Sequence, residues 1–350
     1  MQAKLTDTEA IELLKTRTDI IPVSINQENG RITWQSIGTY HIYEGEFHSA
    51  INTVRALQMR GNAKPCNQRF ETSITVLDET ELTSDCVQPT GFIFHTSRCG
   101  STLLARALAR DRQAMVYGEP MLPLHFLLRC LRLFGMEGLR TAETKQRLRN
   151  IILLMGRRRN ESYCRYVIKF QAIGIHFANI MSAAFNHVPQ LFLYRKPVEV
   201  LTSLEKRASG WDATFNSSFA DFLSDYSLTP NVQLQEYRAH ILQKIYATAL
   251  ETTTCGAFLN YSTLKTENLN TILAFFSHTV SDDVKANMER VFSVYSKSPY
   301  LNRPFDTSNF ELETMTEFKP DSPVLDLLTN LYEEVASSPR NLIPNELSSA

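Results

Sequence analysis

The sequence predicts an α/β fold: a mostly parallel central sheet with helices on both faces, preceded by an N-terminal α+β region. Short apolar segments typical of buried strands recur along the chain, and a helical segment follows each of them. The four predicted strands are residues 91–95, 166–170, 190–194 and 256–260. Strands that alternate with helices form parallel sheets, and the ligands of such sheets bind beyond the carboxyl ends of the strands.

The helices that follow these strands are predicted from their composition and from their first residues. Residues 102–110 are mostly good helix formers, and residues 175–185 form a helical stretch after the second strand. The third helix begins near Pro197, because proline is favoured in the first turn of a helix. The fourth helix ends at about Ser277, and the chain then continues as a helical and later irregular tail.

Residues 1–88 differ in pattern from the rest of the chain. We interpret them as an accessory region and residues 89–350 as the main domain. The accessory region begins with an amphipathic helical segment, residues 7–16. Alternating polar and apolar residues predict strands at residues 31–34 and 71–77.

The composition argues against several classes of partner. The chain has 350 residues, 43% of them hydrophobic, which is enough to bury a full core. Its 36 Lys and Arg residues nearly balance its 37 Asp and Glu residues, so no basic field points to nucleic acid or to an anionic membrane. The N-terminus does not resemble a secretory signal, and no apolar run is long enough to span a bilayer.

The six cysteines are scattered and include no CxxC pair. This pattern is typical of reduced thiols, so we expect a cytoplasmic protein. The same spacing argues against a zinc site, and we expect no metal ion.

The loop at residues 97–102, Ser-Arg-Cys-Gly-Ser-Thr, has the composition of an anion-binding site. It joins a buried strand to the start of a helix, where free backbone N–H groups and the helix dipole attract negative charge. Gly100 lets the backbone approach a phosphate, and the hydroxyls of Ser101 and Thr102 add donors. Arg98 adds a permanent positive charge whose forked geometry matches phosphate oxygens.

This loop is not a Walker A motif, GxxxxGK[ST], because Ser101 stands where that motif has its lysine. The Walker A lysine and the following hydroxyl serve a γ-phosphate and its magnesium ion, so the loop disfavours a nucleoside triphosphate. The alternative interpretation is an ordinary strand-to-helix turn in which a Ser or Thr caps the helix.

A second candidate anion site follows the third predicted strand. Arg195 comes directly after that strand, and Ser203 lies about two helical turns further along. Both side chains can face one pocket at the carboxyl edge of the sheet. Equally, Arg195 can form a surface ion pair while Ser203 is an ordinary helix residue.

Residues 94–104 resemble the sulfotransferase family, especially its branch with the motif SRxGST. The resemblance covers about residues 91–300 and implies a P-loop NTPase-like fold. It also implies that the chain uses 3′-phosphoadenosine-5′-phosphosulfate (PAPS) as a co-substrate without a metal ion. The residues that would hold the 5′-phosphosulfate of PAPS are Arg98, Cys99, Gly100, Ser101 and Thr102.

The same resemblance assigns residues to the rest of the nucleotide. In the family, an Arg and a Ser eight positions apart grip the 3′-phosphate, which implies this role for Arg195 and Ser203. The family usually reads Arg-Asp-Pro there, whereas Lys196 follows the arginine in this chain. Tyr261 falls in a segment similar to a late strand–helix of the family and is expected near the nucleotide. The family's final glycine-rich nucleotide loop has no clean counterpart in this chain. Its nearest candidate is residues 295–300, whose Lys297 is expected to close over the adenosine phosphates.

Sulfuryl transfer needs an aligned acceptor, a base for its proton and positive charge on the leaving phosphate. Lys169 lies at the end of an apolar strand, and the resemblance implies that it contacts the transferring sulfuryl group, with Arg98 as a further catalytic cation. The SRxGST branch has a Glu-Pro pair shortly after the phosphate-loop helix. Glu119 and Pro120 match this pair, after the short apolar run of residues 115–117, so we assign Glu119 as the general base.

Other assignments of the base stay open. Many cytosolic members of the family have a histidine two positions after the lysine, where this chain has Gln171. Glu119 can instead be the N-terminal residue of a helix beside a proline. His125 and His176 are reserve candidates, and His95, at the end of the strand before the loop, can either shape the loop or move protons.

The sequence therefore predicts a sulfotransferase that moves a sulfuryl group from PAPS to a hydroxyl or amine of a small molecule or carbohydrate. The alternatives are a P-loop small-molecule kinase and a catalytically inactive nucleotide-binding member of the fold. We expect the basic run at residues 156–160 at the solvated end of a helix. The sequence indicates neither the identity of the acceptor nor the oligomeric state.

Overall fold

The computed structural model of the chain describes residues 5–60, 68–206, 208–215, 217, 219–224, 233–252, 256–292 and 323–345. The strands in these ranges are β1 (Ile20–Ile25), β2 (Ile32–Ser36), β3 (Arg69–Thr72), β4 (Gly91–His95), β5 (Ala114–Gly118), β6 (Arg165–Lys169), β7 (Gln190–Tyr194) and β8 (Gly256–Asn260).

The α-helices of the described ranges are α1 (Asp7–Thr16), α2 (Phe47–Met59), α3 (Ser101–Leu108), α4 (Met121–Arg140), α5 (Ala142–Met155), α6 (Ala178–Ala184), α7 (Pro197–Lys206), α8 (Ala220–Ser224), α9 (Leu234–Glu251), α10 (Leu269–Phe275), α11 (Asp282–Phe292) and α12 (Pro323–Ser337). None of these helices combines the length and the apolar character that crossing a bilayer requires.

Five strands form the central sheet in the order β5-β6-β4-β7-β8, which confirms the predicted α/β fold. The pairs at both ends of this order are parallel: Gly118 pairs with Lys169 between β5 and β6, and Tyr194 pairs with Asn260 between β7 and β8. Every residue of β4, β5 and β7 is buried, as expected for a parallel sheet that helices cover.

The predicted strand bounds agree closely with the structure. Residues 91–95, 190–194 and 256–260 coincide with β4, β7 and β8, and β6 lies one residue before its prediction. The helix predicted at residues 175–185 differs, because a 3₁₀ helix over Ala172–Phe177 precedes α6.

The chain divides into two compact units, of which the first comprises residues 1–92, 108–169 and 179–188. It contains a three-stranded antiparallel sheet, β1-β2-β3, and helices α4 and α5 pack against β1. Trp34 in the middle of this sheet is fully buried and donates a hydrogen bond to the Thr72 hydroxyl over 2.9 Å.

The second unit comprises residues 93–107, 170–178 and 189–350. Its helices α7 and α12 both pack against α9. The segment after α12 pairs with β8, because the backbone N–H of Leu342 donates to the carbonyl of Phe258 over 2.8 Å. This pairing covers the open edge of the sheet.

The N-terminal predictions are right for the first helix and partly wrong for the last strand. Helix α1 has the predicted bounds, and Thr6 and Glu9 form a capping box at its start. The strand predicted at residues 71–77 ends at Thr72, and a 3₁₀ helix follows over Ile74–Asp78. The chain turns at Ser73, whose backbone N–H donates to the Asp7 carboxylate over 3.0 Å.

The prediction that the basic run at residues 156–160 is solvated is wrong for two of its three arginines. Arg157 is buried and donates to the backbone carbonyl of Leu14. Arg159 is also buried and donates to the carbonyl of Tyr40 over 2.8 Å. These guanidinium groups therefore bind the N-terminal segment within the first unit, whereas Arg158 is partly exposed and forms an ion pair with Asp85.

Candidate active site

The loop between β4 and α3 has a strained backbone. Ser97, Arg98 and Gly100 have positive φ angles of 68°, 51° and 79°. Positive φ is unfavourable for residues with a Cβ atom, and such strain is typical of ligand-binding segments that surrounding contacts hold in place. At Gly100, a Cβ atom would also lie 2.7 Å from Cδ2 of Leu264, so both the torsion and the space require glycine.

Contacts on both sides fix this loop. The backbone N–H of Thr96 donates to the carbonyl of Leu193 in β7 over 3.0 Å, and the N–H of Ser97 donates to Nδ1 of His95 over 2.9 Å. Further along, Arg98 Nη2 donates to the carbonyl of Ala208 over 3.1 Å. The loop is therefore preformed by residues of the second unit.

Helix α3 begins directly after Gly100, so its first backbone N–H groups adjoin the loop. Ser101 is buried at the helix start. Cys99 is fully buried; this burial raises the pKa of its thiol, but a hydrogen bond with His95 lowers it, and the resulting pKa lies below the usual thiol value. These features give the loop the local character of an anion-binding helix start.

Arg195 meets the same loop from the end of β7. Its Nη1 donates to the backbone carbonyl of Arg98 over 3.1 Å, and its side chain is 8% exposed. The Nε atom donates to the Glu199 carboxylate over 2.6 Å. The structure thus brings the second predicted anion-binding arginine into direct contact with the first predicted anion site.

Tyr261 connects these two groups of residues. The guanidinium carbon of Arg195 lies 4.4 Å from the centre of the Tyr261 ring. The same ring lies 3.1 Å from the position that a Cβ atom would take at Gly100. Tyr261 therefore packs both against the loop and against Arg195.

Ser203 lies on α7, one turn beyond Glu199 and on the same side of the helix. Its side chain is half-buried. The sequence reasoning did not identify Glu199, although its spacing of four residues from Arg195 is typical of an ion pair. It also did not identify Leu264 or Ala208, which contact the loop.

A second group of predicted residues lies in the first unit. Nζ of Lys169 donates to Oε1 of Glu119 over 2.7 Å, and the backbone N–H of Glu119 donates to the Lys169 carbonyl over 2.6 Å. Lys169 is fully buried, whereas the Glu119 side chain is 33% exposed. The more exposed member of the pair is thus the carboxylate that we assign as the base.

The backbone around Glu119 is also constrained. Glu119 has a φ of 54°, in the left-handed region that is unfavourable for a glutamate. At Gly118, a Cβ atom would lie 2.0 Å from the backbone oxygen of Gly45, so the segment before α2 packs directly on the end of β5. A residue of the N-terminal region therefore adjoins the candidate base within the first unit.

The reserve candidates for the general base, His125 and His176, make other contacts than Glu119 does. Gln27 donates to the backbone carbonyl of His125, and burial lowers the pKa of the His125 side chain. Nδ1 of His176 lies 3.1 Å from the Thr248 hydroxyl. Gln171 precedes the 3₁₀ helix that follows β6. Lys297 lies outside the described residues.

No protein-family model and no curated protein matches this chain. Among solved structures, it aligns with the sulfotransferase domain from the Synechococcus PCC 7002 olefin synthase at 16% identity and a TM-score of 0.43, over 73% of this chain and 96% of that domain. It also aligns with a sulfotransferase from Alicyclobacillus acidocaldarius at 15% identity and a TM-score of 0.33, over 64% of this chain and 99% of that protein.

Proposed function

We propose that this chain is a PAPS-dependent sulfotransferase whose acceptor is a hydroxyl or amine of a small molecule or carbohydrate. The observation that carries the proposal is the 3.1 Å hydrogen bond from Arg195 to the carbonyl of Arg98. It joins two arginines from separate strand–loop–helix segments at one strained loop. An adenosine with phosphate groups on the 3′ and 5′ oxygens of its ribose suits such a pair of cations.

The residues of the loop fit the 5′-phosphosulfate of this co-substrate. Gly100 leaves no side chain between the backbone and a phosphate, and the start of α3 supplies donors. Arg98 adds positive charge where the leaving phosphate gains negative charge. Ser101, rather than the lysine of a Walker A motif, follows Gly100, which favours PAPS over a triphosphate with Mg²⁺.

Arg195 fits the 3′-phosphate. Glu199 fixes its Nε atom and Tyr261 packs on the face of its guanidinium plane, so the orientation of the group is set before a ligand binds. In this proposal Ser203, one turn beyond Glu199, adds a hydroxyl donor to the same phosphate. Cys99 and Thr102 contribute backbone N–H groups of the loop, and Lys297 stays a proposed contact to the adenosine phosphates.

Glu119 and Lys169 supply the proton chemistry in this proposal. PAPS, when bound, provides the sulfuryl group and leaves as 3′-phosphoadenosine-5′-phosphate. Glu119 takes the proton of the acceptor hydroxyl or amine, and the ammonium of Lys169, 2.7 Å from its Oε1, is the counter-charge of that carboxylate. Since Lys169 is fully buried against Glu119, we propose that it acts on the sulfuryl group only once the acceptor and the co-substrate are in place.

The first experiment is calorimetric titration with 3′-phosphoadenosine-5′-phosphate and, separately, with ATP·Mg²⁺. We expect binding of the bisphosphate without added metal and no comparable binding of ATP·Mg²⁺. If only ATP·Mg²⁺ binds, the proposal is wrong and the kinase alternative takes its place.

The second experiment separates an enzyme from an inactive member of the fold. Radiolabelled PAPS is incubated with a panel of alcohols, phenols, amines and sugars, and the rate is measured for wild type, Glu119→Gln and the exposed control Glu137→Gln. We expect Glu119→Gln to lower kcat by roughly 10²–10⁴-fold while bisphosphate binding is unchanged. Bisphosphate binding with no transfer to any acceptor would favour the inactive member, and full activity of Glu119→Gln would refute our choice of base.

We propose a cytoplasmic location for this activity. The cysteines in the described part of the chain, Cys86, Cys99, Cys130 and Cys164, are free thiols. Free thiols are typical of a reducing compartment. We propose no nucleic-acid or membrane partner, because the net charge of -1 provides no basic field for either.

A further inference from the structure

The imidazole of His95 contacts the loop at residues 97–102 from inside the protein. His95 is the last residue of β4 and is 3% exposed. Its Nδ1 accepts a hydrogen bond from the backbone N–H of Ser97 over 2.9 Å. An accepting Nδ1 carries no proton, so the ring is neutral and its proton is on Nε2.

This hydrogen bond holds the first strained residue of the loop. Ser97 has a φ of 68° and Arg98 a φ of 51°, so two consecutive residues with side chains adopt the left-handed conformation. That conformation is intrinsically unfavourable and persists only where contacts stabilise it. The imidazole satisfies the N–H that the Ser97 torsion turns inward, and thereby favours this torsion.

The position of both candidate phosphate ligands depends on the same torsion. The Ser97 torsion sets the direction of the following peptide and hence of Arg98. The backbone carbonyl of Arg98 accepts a hydrogen bond from Arg195 Nη1 over 3.1 Å. The side chain of Arg98 donates from Nη2 to the carbonyl of Ala208, also over 3.1 Å. A change at Ser97 would therefore move the guanidinium of Arg98 and remove the acceptor that orients Arg195.

Cys99, four residues beyond His95, is fully buried in the same loop, and His95 is among the groups that lower the pKa of its thiol. A side chain that is 3% exposed and accepts a hydrogen bond from the Ser97 backbone is suited to fix a conformation rather than to exchange protons with an acceptor.

We propose that His95 is a positioning residue, whose neutral imidazole holds Ser97 in the left-handed conformation so that Arg98 and Arg195 are preset for the two phosphate groups of the nucleotide. The identity of that nucleotide rests on the proposed function. The role differs from that of a general base, because His95 acts through the loop and does not need to touch the acceptor.

The test uses two amide substitutions of the full-length chain. In His95→Asn, the side-chain oxygen lies close to the position of Nδ1 and can accept from the Ser97 N–H. In His95→Gln, the amide lies near the position of Nε2, so the Ser97 bond is lost. Binding of 3′-phosphoadenosine-5′-phosphate is measured by calorimetry for both variants and for wild type, together with their thermal unfolding.

We expect His95→Asn to bind within about threefold of wild type and His95→Gln to bind at least about tenfold more weakly, which is the effect of losing one hydrogen bond. Similar unfolding temperatures of the two variants would show that the difference arises in the loop. If His95→Gln does not unfold cooperatively, His95→Ala takes its place in the same comparison with His95→Asn.

Equal binding by both variants, or weak binding by both, would overturn the role of Nδ1. A wild-type chain that does not bind the bisphosphate at all would instead refute the proposed function, so the two failures are distinguishable. As a further check, Ser97→Gly removes the Cβ penalty of the left-handed conformation. Added to His95→Gln, it should restore part of the lost affinity; no restoration would contradict the proposal.

Discussion

The ammonium of Lys169 lies 2.7 Å from Oε1 of Glu119, and the backbone N–H of Glu119 donates to the carbonyl of Lys169 over 2.6 Å. The parallel pairing of β5 with β6 explains this arrangement, because Gly118 pairs with Lys169 and Glu119 is the next residue. The two partners differ in exposure: Lys169 is fully buried, whereas the Glu119 side chain is 33% exposed. Loss of Glu119 should therefore affect stability differently from loss of Lys169.

Removal of the carboxylate should destabilise the fold more than removal of the ammonium. Glu119→Ala leaves the fully buried ammonium without this counter-charge, and we expect the free energy of unfolding to fall by about 3 kcal/mol. Lys169→Met fills the buried space with an apolar chain, while Glu119 can be hydrated, so a loss of about 1 kcal/mol is expected. Urea denaturation of both variants measures the difference. The reverse order of stabilities would contradict this description of the pair.

Arg195 should contribute strongly to nucleotide binding, in contrast to its neighbour. Arg195→Ala removes the proposed charge-assisted phosphate contact. Such a contact is worth about 1.5–3 kcal/mol, which corresponds to a loss of roughly 10- to 150-fold in affinity for 3′-phosphoadenosine-5′-phosphate. Lys196 is exposed, so Lys196→Ala is a matched control for the loss of one positive charge. We expect calorimetry to show nearly unchanged affinity for this control. Equal losses in both variants would mean that only net charge matters.

Much of the sheet and of the loop at residues 97–102 can be predicted from the sequence, because both depend on local patterns. The apolar segments at β4, β7 and β8 were predicted at their observed bounds. The strand–loop–helix around Gly100 was recognised from consecutive residues, and the position of Arg195 after β7 follows from the same alternation of strand and helix.

The contacts that complete the site come from distant parts of the chain, and the sequence does not indicate them. Leu264 and Tyr261 lie more than 150 positions from Gly100, which they contact, and no local pattern reveals that approach. The burial of Arg157 and Arg159 likewise depends on the carbonyl groups of Leu14 and Tyr40. From the sequence alone, a run of charged residues is predicted to be solvated, because its distant hydrogen-bond acceptors are not known.

His41 should make stability depend on pH. Its Nε2 lies 2.9 Å from the carbonyl of Ala109 and its Nδ1 lies 3.2 Å from the Tyr163 hydroxyl. Burial lowers the pKa of His41 below its usual value of 6.5, and Arg159 and Arg112 lower it further.

Below pH 6.5 the unfolded state therefore takes up a proton that the folded state does not. The free energy of unfolding decreases as the pH is lowered, until the lower pKa of folded His41 is reached. His41→Gln removes this proton uptake, so the decrease in unfolding free energy between about pH 7 and pH 5 should be smaller than in wild type. Urea denaturation across this range measures it. An unchanged pH dependence would show that His41 titrates alike in both states.

Gly100 should be irreplaceable for a reason that goes beyond its torsion angle. Gly100 has a φ of 79° and Gly38 a φ of 55°, so an alanine is strained at either position. Only at Gly100 does the new Cβ atom meet other groups, with Leu264 Cδ2 at 2.7 Å and the Tyr261 ring at 3.1 Å, whereas nothing lies within 4 Å at Gly38.

Gly38→Ala should therefore lower the free energy of unfolding by about 1 kcal/mol and leave nucleotide affinity unchanged. Gly100→Ala carries the same torsional strain and must also displace Tyr261, the ring on which Arg195 packs. Its affinity for 3′-phosphoadenosine-5′-phosphate should consequently fall more than about tenfold, since Arg195, the cation proposed to bind the 3′-phosphate, packs on that ring. Calorimetry on both variants makes the comparison, and normal binding by Gly100→Ala would mean that no phosphate approaches this part of the loop.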